Sequence, residues 1–335
     1  MAKSSGIDGG SEVGSMQEWP YTKGLHELGN GCYAYLQPDG TWGYSNSGLI
    51  TADGETLLVD TLMDLKLTTE MLRTMRTAVP SAASIQTLVN THSNPDHTNG
   101  NQLVQSARII SSTACRDEMR EQAARPRPRL SEEAGAFFQE VLGSRFDLSN
   151  ICVTFPSETF DGELHLTVGT KEVRLLELGP AHTRGDIVVY LPAERIVFTG
   201  DILFHGGHPV IWAGPVSNWI KACDRILGWD VEVVVPGHGS ITGKRGVREL
   251  KHYLEFVRDE SHKRREAGMD YEAAARDISL DAFTGWTDPE RIVANVYACY
   301  SEFGGGQNRL PMQALFASMA RYHFETKRNS TGVRT

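Results

Sequence analysis

Apolar residues in this chain come in short runs, and the runs change period along its length. In the first part they lie between Gly, Pro, Asp and Asn, the pattern of strands closed by turns. Residues 32–36 and 42–51 read as strands joined through Pro38-Asp39-Gly40, and 56–60 follows after Asp53-Gly54. Residues 65–78 carry apolar positions at helical spacing and stop before Pro80. A β-rich run at 85–89 leads into a polar cluster, 99–105 predicts a helix, and 108–111 another strand. Residues 114–143 read as helical, broken by Arg125-Pro126-Arg127-Pro128, a connecting loop or a surface excursion near a site mouth. The layout then repeats, with strands at 163–168, 172–177, 187–191 and 196–199, an amphipathic helix at 216–227, and a buried strand at 231–235. From Arg245 the pattern is helical, at 247–267, 271–278, 289–302 and 312–324.

Two runs of strands, each closed by helices, predict two sheets packed face to face with helices outside. The expected fold class is α/β, a four-layer αββα sandwich with a helical C-terminal extension. The expected division is a tail or tag at 1–20, a main domain at 21–245, and a helical extension at 246–335 packed on the same domain.

Composition narrows the class of partner. At 40% hydrophobic and 22% charged, the chain has the make-up of a soluble globular protein. The net charge of −9 disfavours a polyanionic partner, and the short basic groups Lys244-Arg245 and Lys263-Arg264-Arg265 read as solvated helix faces. No nucleic acid is therefore expected. No stretch approaches the ~20 apolar residues of a membrane span, so no membrane is expected either. Residues 1–17 are rich in Gly and Ser and lack an apolar signal core, so the expected compartment is the cytoplasm, with Met16 as a candidate native start. The five cysteines are far apart and form no C-x-x-C pair, which reads as free buried thiols.

The chemistry is carried by His92-Ser93-Asn94-Pro95-Asp96-His97, then His182, Asp201 and His238, each set after an apolar run. Imidazole and carboxylate at strand ends are the donors of a hydrolytic zinc site. Side chains alternate along a strand, so the four potential ligands of the first cluster must lie on a loop that wraps an ion. Glycine beside Asp201 and His238, and three residues to either side of His182, permits close backbone approach.

Taken in order, these residues resemble the five motifs of the metallo-β-lactamase fold superfamily, in its glyoxalase II-like part. Asp60 stands at motif one, His92–His97 at two, His182 at three, Asp201 at four and His238 at five, a likeness covering residues 25–245. The resemblance implies two adjacent metal positions. The first would use His92, position 94 and His182. The second would use Asp96, His97 and His238, with Asp201 bridging or joining it. Asn94 departs from the family pattern, which has a histidine there. A carboxamide is a weak zinc ligand, so one tightly bound Zn²⁺ is expected, with the other position weak or absent. Fe or Mn suits the same donors.

With a metal bound, water would be activated near neutral pH. Asp96 would ligate and orient it, His92 and His182 would serve as bases, and Asn94 would donate to developing negative charge. His205, His208 and Trp212 are candidate substrate contacts, and Arg184 and Asp186 read as an ion pair or cap. The expected activity is hydrolysis of a small ester, thioester, lactone or amide. One alternative follows from Asn94 and the segment Gly214-Pro215-Val216-Ser217-Asn218-Trp219-Ile220, which is similar to the chlorothalonil hydrolytic dehalogenase group and implies attack on an activated haloaromatic ring. Another is a non-catalytic metal- or ligand-binding protein. The terminal helices, 289–324, are expected to cover the substrate or form a homodimer.

Overall fold

The computed structural model describes residues 19–125, 130–305 and 310–330. Most of the expected N-terminal tail and the Pro126-Arg127-Pro128 insert lie outside them. The first half forms β1 (Gly24–Gly29), β2 (Cys32–Leu36), β3 (Ser47–Ala52), β4 (Glu55–Val59), helix α1 (Leu65–Ala78), β5 (Thr87–Val89), the one-turn helix α2 (Pro95–Thr98), β6 (Arg108–Ser112), helices α3 (Thr113–Ala124) and α4 (Glu132–Phe138), and β7 (Glu158–Phe160). The seven strands form one sheet in chain order. β1 to β4 pair antiparallel. β4 to β7 pair parallel, because a helix or longer segment crosses over between each of them.

The second half forms β8 (Glu163–Val168), β9 (Lys171–Glu177), β10 (Ile187–Leu191), β11 (Ile196–Phe198), β12 (Phe204–His205), α5 (Val216–Gly228), β13 (Val233–Val235) and β14 (His238–Gly239). Five of these strands make a second sheet in the order β13-β11-β10-β9-β8, and β12 pairs with β14 apart from it. Helices α6 (Lys244–Glu266), α7 (Tyr271–Asp277), α8 (Ile292–Phe303) and α9 (Met312–Ser330) follow. None of the helices described is long and apolar enough to cross a membrane.

Period-two alternation assigns the layers. Leu57, Val59, Val89 and Ile110 of the first sheet meet Leu175, Val189, Phe198 and Val235 of the second in one buried cluster. The intervening Leu58, Leu88 and Ile109 point the other way, onto Met71, Leu72 and Met75 of α1. Val188, Val197 and Val234 likewise turn outward onto Trp219, Cys223 and Ile226 of α5 and Leu250 and Leu254 of α6. Each side chain so buried contributes about 1.5–3 kcal/mol. The sheets approach closely, since a Cβ on Gly48 would strike the Phe198 ring of the opposite sheet. α1 begins where Asp64 caps it, accepting from the Leu67 N–H at 2.7 Å.

Four expectations shift. The strand expected at 42–51 begins only at Ser47, because the residues before it bond to the site loops. The Ser45 hydroxyl donates to the Asp96 carbonyl at 2.5 Å, and the Asn46 amide donates to Pro236 and Gly239 at 3.0 and 2.8 Å. The helix expected at 289–302 opens as a 3₁₀ turn, Pro289–Arg291. The segment 99–105 is 3₁₀ rather than α over Asn99–Val104. The helical run 114–143 resolves into α3, α4 and a π turn at Gln139–Gly143.

Candidate metal centre

The site is built at the ends of strands from both sheets. His92 lies past β5, and Asp96 and His97 sit on α2, whose first residue is Pro95. His182 lies in the bend between β9 and β10, Asp201 in the 3₁₀ turn Gly200–Ile202 after β11, and His238 on β14. The first cluster is therefore a loop through His92 and Asn94, as expected, that closes into a helical turn carrying Asp96 and His97. All six side chains are buried.

Each imidazole is anchored through Nδ1. His92 meets the Thr91 hydroxyl at 3.0 Å, His97 the Asp60 carboxylate at 2.9 Å, His182 the Val210 carbonyl at 2.7 Å and His238 the Gly40 carbonyl at 3.1 Å. That leaves every Nε2 facing Asp201, at 3.6, 3.1, 3.2 and 3.4 Å in the same order. Asp96 stands 3.3 Å from His238 Nε2 and 3.9 Å from His97 Nε2. The donors fall into two triads, His92 with His182 and Asp201, and Asp96 with His97 and His238, each with its atoms within 4.8 Å of one another.

The donor set fits a divalent metal. His92 Nε2 is buried without a hydrogen-bond partner among the described residues, an unsatisfied state that costs about 1–3 kcal/mol, and His97 Nε2 and Asp201 Oδ1 have only each other, at 3.1 Å. Four imidazoles and two carboxylates, with no thiolate, suit zinc, iron or manganese. The outer contacts fix which nitrogen faces inward, as partners of metal-binding histidines do.

Electrostatics point the same way. Burial would lower His97, but Asp201, Asp96 and Asp60 raise it well above its ordinary value. His238, likewise opposed by burial, is raised to about 9 by Asp201 and Asp96. Burial would raise Asp96, yet His97 and His238 hold it down at about 2. His92 and His182 are pushed down, chiefly by burial. The field that draws protons onto His97 and His238 is a negative one that a bound cation would answer.

Asn94 departs from the donor pattern in geometry as well as in type. Its Nδ2 lies 3.0 Å from His182 Nε2. With His182 Nδ1 donating to the Val210 carbonyl, Nε2 carries a lone pair and the amide donates to it. Asn94 therefore occupies the ligating atom of the first triad.

A cavity of about 620 Å³ opens over Asn94, Asp96, His182, Asp201 and His238. Trp212 lines it, together with Trp42, Phe138, Phe204, Met312 and Phe316, and Glu118, Glu121 and Arg184 stand among its polar residues. His205 and His208 are not brought to it. His205 turns to the Ser240 carbonyl at 2.9 Å and to Glu249 at 3.6 Å. His208 is buried against Tyr253, Phe283 and Trp286. Those aromatic neighbours come from α6 and from the segment between α7 and α8, and they draw the ring away. Arg184 and Asp186 do not pair with each other. Arg184 pairs with Glu118 and Glu121 at 3.4 and 2.9 Å. Asp186 closes the 181–183 turn by accepting from Ala181 and Thr183 N–H and the Thr183 hydroxyl. Burial pushes its carboxyl up to about 8.

Asp60 was legible as a motif position, though not as the partner that fixes His97. Its carboxylate also accepts from the Thr91 N–H and hydroxyl at 2.7 and 2.6 Å. Trp42, Phe138 and Phe316 carried no local signal, because only the tertiary fold turns them to one cavity.

A family model described as the Metallo-beta-lactamase superfamily matches residues 40–238, the span that holds every one of these donors. The chain belongs to that superfamily. It is 26% identical over 239 residues to a linear primary-alkylsulfatase of Pseudomonas sp. (strain ATCC 19151), a match covering 63% of this chain and 44% of the relative. It is 31% identical over 101 residues to the 2,4-dinitroanisole O-demethylase subunit alpha of Nocardioides sp. (strain JS1661), covering 30% of each. Among solved structures, an inverting sec-alkylsulfatase from Pseudomonas sp. superposes with a TM-score of 0.63 at 15% identity, over 86% of this chain and 52% of that one. The chain thus spans less than half the length of either curated relative, and the structural likeness carries the metallo-β-lactamase fold.

Proposed function

We propose that this chain is a metal-dependent hydrolase of a small organic ester, thioester, lactone or amide, with zinc as its metal. The observation that carries the reading is the convergence of four anchored imidazoles and two carboxylates, of which Asp96, His182, Asp201 and His238 line one cavity. The strong metal position is assigned to Asp96, His97 and His238 with Asp201. The first triad is weaker, since Asn94 engages the Nε2 of His182. When bound, the metal supplies Lewis acidity and lowers the pKa of water to about 7.

The chain's own residues do the rest. Asp96 holds and orients the attacking water. His92, kept unprotonated by burial, is placed to take its proton at Nε2, and His182, lowered likewise, does so once the Asn94 amide releases its Nε2. The Asn94 amide is a donor for the oxygen on which negative charge develops. Being buried, the site excludes bulk water, which strengthens each of these interactions.

Elemental analysis with a hydrolysis screen tests this. One firmly held zinc per chain, with turnover of esters, thioesters or lactones, is the expected result. No metal and no turnover would leave a ligand-binding protein instead. Asn94→His is expected to raise the metal content towards two per chain, and an unchanged content would remove Asn94 from the ligand shell. A second reading, displacement at an activated aromatic ring such as hydrolytic dehalogenation, is favoured by the relative named for 2,4-dinitroanisole. Halide release from activated aryl halides in the same screen separates the two.

A further inference from the structure

Four large aromatic side chains run in an unbroken row along the cavity. Trp42 and Trp212 have ring centroids 6.2 Å apart, Trp212 and Phe316 5.5 Å, and Phe316 and Phe138 4.6 Å. All four line the same space as the donor cluster, and all four are only partly buried. They come from four separate segments, the β2–β3 loop, α4, the stretch before α5, and α9.

Packing alone does not account for this row. Trp219, which is a core residue, is fully buried and donates its indole N–H to the Ile202 carbonyl at 2.9 Å. The Trp212 indole N–H has no partner among the described residues, while its peptide N–H is tied to the His182 carbonyl at 2.9 Å. Trp42 is held rigidly. Its indole N–H donates to Glu290 at 2.6 Å, and the buried Arg291 guanidinium lies 4.2 Å from its ring centroid. A pre-set wall of half-covered rings beside the donor cluster offers an apolar surface to a guest.

We propose that this wall is a subsite for an aromatic ring of the substrate, with Trp212 and Phe316 setting the specificity. The proposal rests on the reading above that the cavity receives a small-molecule substrate, and it holds for whichever bond is cleaved. The neighbouring rings stand 45° to 68° to one another. A planar guest therefore meets faces and edges together, the offset and edge-to-face contacts in which aromatic pairs gain beyond buried area. A linear alkyl guest would gain area only and would lose chain freedom on ordering.

Equilibrium binding to the full chain, with and without added zinc, tests this using benzyl alcohol, cyclohexylmethanol and 1-heptanol, which have seven carbons each. The saturated alcohols are the more apolar, so simple burial would favour them. Benzyl alcohol is expected to bind tighter than either by about two- to tenfold. Trp212→Leu and Phe316→Leu are each expected to shrink that preference. Phe316→Leu, on α9 and outside both metal triads, decides the matter if the tryptophan variant fails to fold. Equal or tighter binding of either saturated alcohol, no measurable binding of benzyl alcohol, or a preference untouched by Phe316→Leu overturns the subsite. Alkyl esters turned over as well as aryl esters would also overturn it while leaving the hydrolase reading intact. A clear preference for benzyl alcohol with no ester turnover would do the reverse.

Discussion

Asp60 touches neither metal triad with an inward-facing atom, yet it decides how His97 presents itself. Its carboxylate accepts from His97 Nδ1 and from both donors of Thr91, whose hydroxyl in turn meets His92 Nδ1. One buried carboxylate therefore orients a histidine of each triad. Asp60→Asn keeps the shape and removes the charge, so metal affinity is expected to fall about 10- to 100-fold with the fold intact. Chelator competition measures this, and an unchanged affinity would make Asp60 a bystander. Gly237 is the complementary case. A Cβ there would land on the Asp201 carboxylate and against the Gly200 and Asp201 backbone. Gly237→Ala is expected to displace Asp201 and lower metal content while circular dichroism stays native. Full metal content in that variant would show that the Gly200 turn yields more easily than its packing suggests. Side chains like these are legible as residue types. What they do depends on which nitrogen or oxygen they leave free, and a sequence does not contain that.

Local signals decided which elements could be read in advance. α1 has the predicted bounds because its cap, its period and its stop at Pro80 all lie within the segment. β12 and β14, of two residues each, were missed because only their pairing across the site makes them strands. β1 and β7 pair along the rims of the first sheet and show little alternation. α9 shows how an element reaches the site without a motif. Met312 and Phe316 of α9 line the cavity, and the helix is tied down by Arg321 to Glu272 at 2.6 Å, Arg276 to Glu325 at 2.8 Å, and His323 to Glu140 and Glu290 at 3.0 and 3.4 Å. The hydrogen bond to Glu290 raises the pKa of His323 above its ordinary value, against burial and with help from Glu140. A histidine raised in the folded state stabilises it fully below its unfolded pKa of about 6.5 and loses that contribution as pH climbs through the folded value. Hydrogen exchange in α9, corrected for intrinsic rate, is thus expected to quicken as pH rises above about 6.5. Water screens the site, so the change should be only about two- to fivefold. His323→Gln should abolish the step, and protection independent of pH would mean that the other ion pairs hold α9 unaided.

At the scale of the molecule, the metal centre lies on the seam between two halves that the sequence announced in order. The first half provides His92, Asp96 and His97, and the second His182, Asp201 and His238. Along the seam run the Asn46 amide bonds to Pro236 and Gly239, the bond from His238 to the Gly40 carbonyl, and the bond from the Ile187 N–H to the Thr91 carbonyl. The layered fold was legible because alternation fixes which face of each strand is buried. The convergence was not, since loops more than a hundred residues apart meet only after the sheets pack. A cation at this point would cross-link both halves in the folded state alone. At a hundredfold excess over its dissociation constant it would add about 2.7 kcal/mol. A domain of 150–250 residues moves about 2–4 °C per kcal/mol, so stripping the metal with a chelator should lower Tm by about 5–11 °C, and restoring zinc should recover it. The drop should shrink in Asp60→Asn at the same zinc concentration, because weaker binding leaves less to lose. Exchange protection should fall together at the ends of β5 and β13, one strand from each sheet. If elemental analysis finds the metal gone while Tm and both strand ends stay as they were, the bonds between the sheets hold the seam without it, and the donors are set in place before any metal arrives.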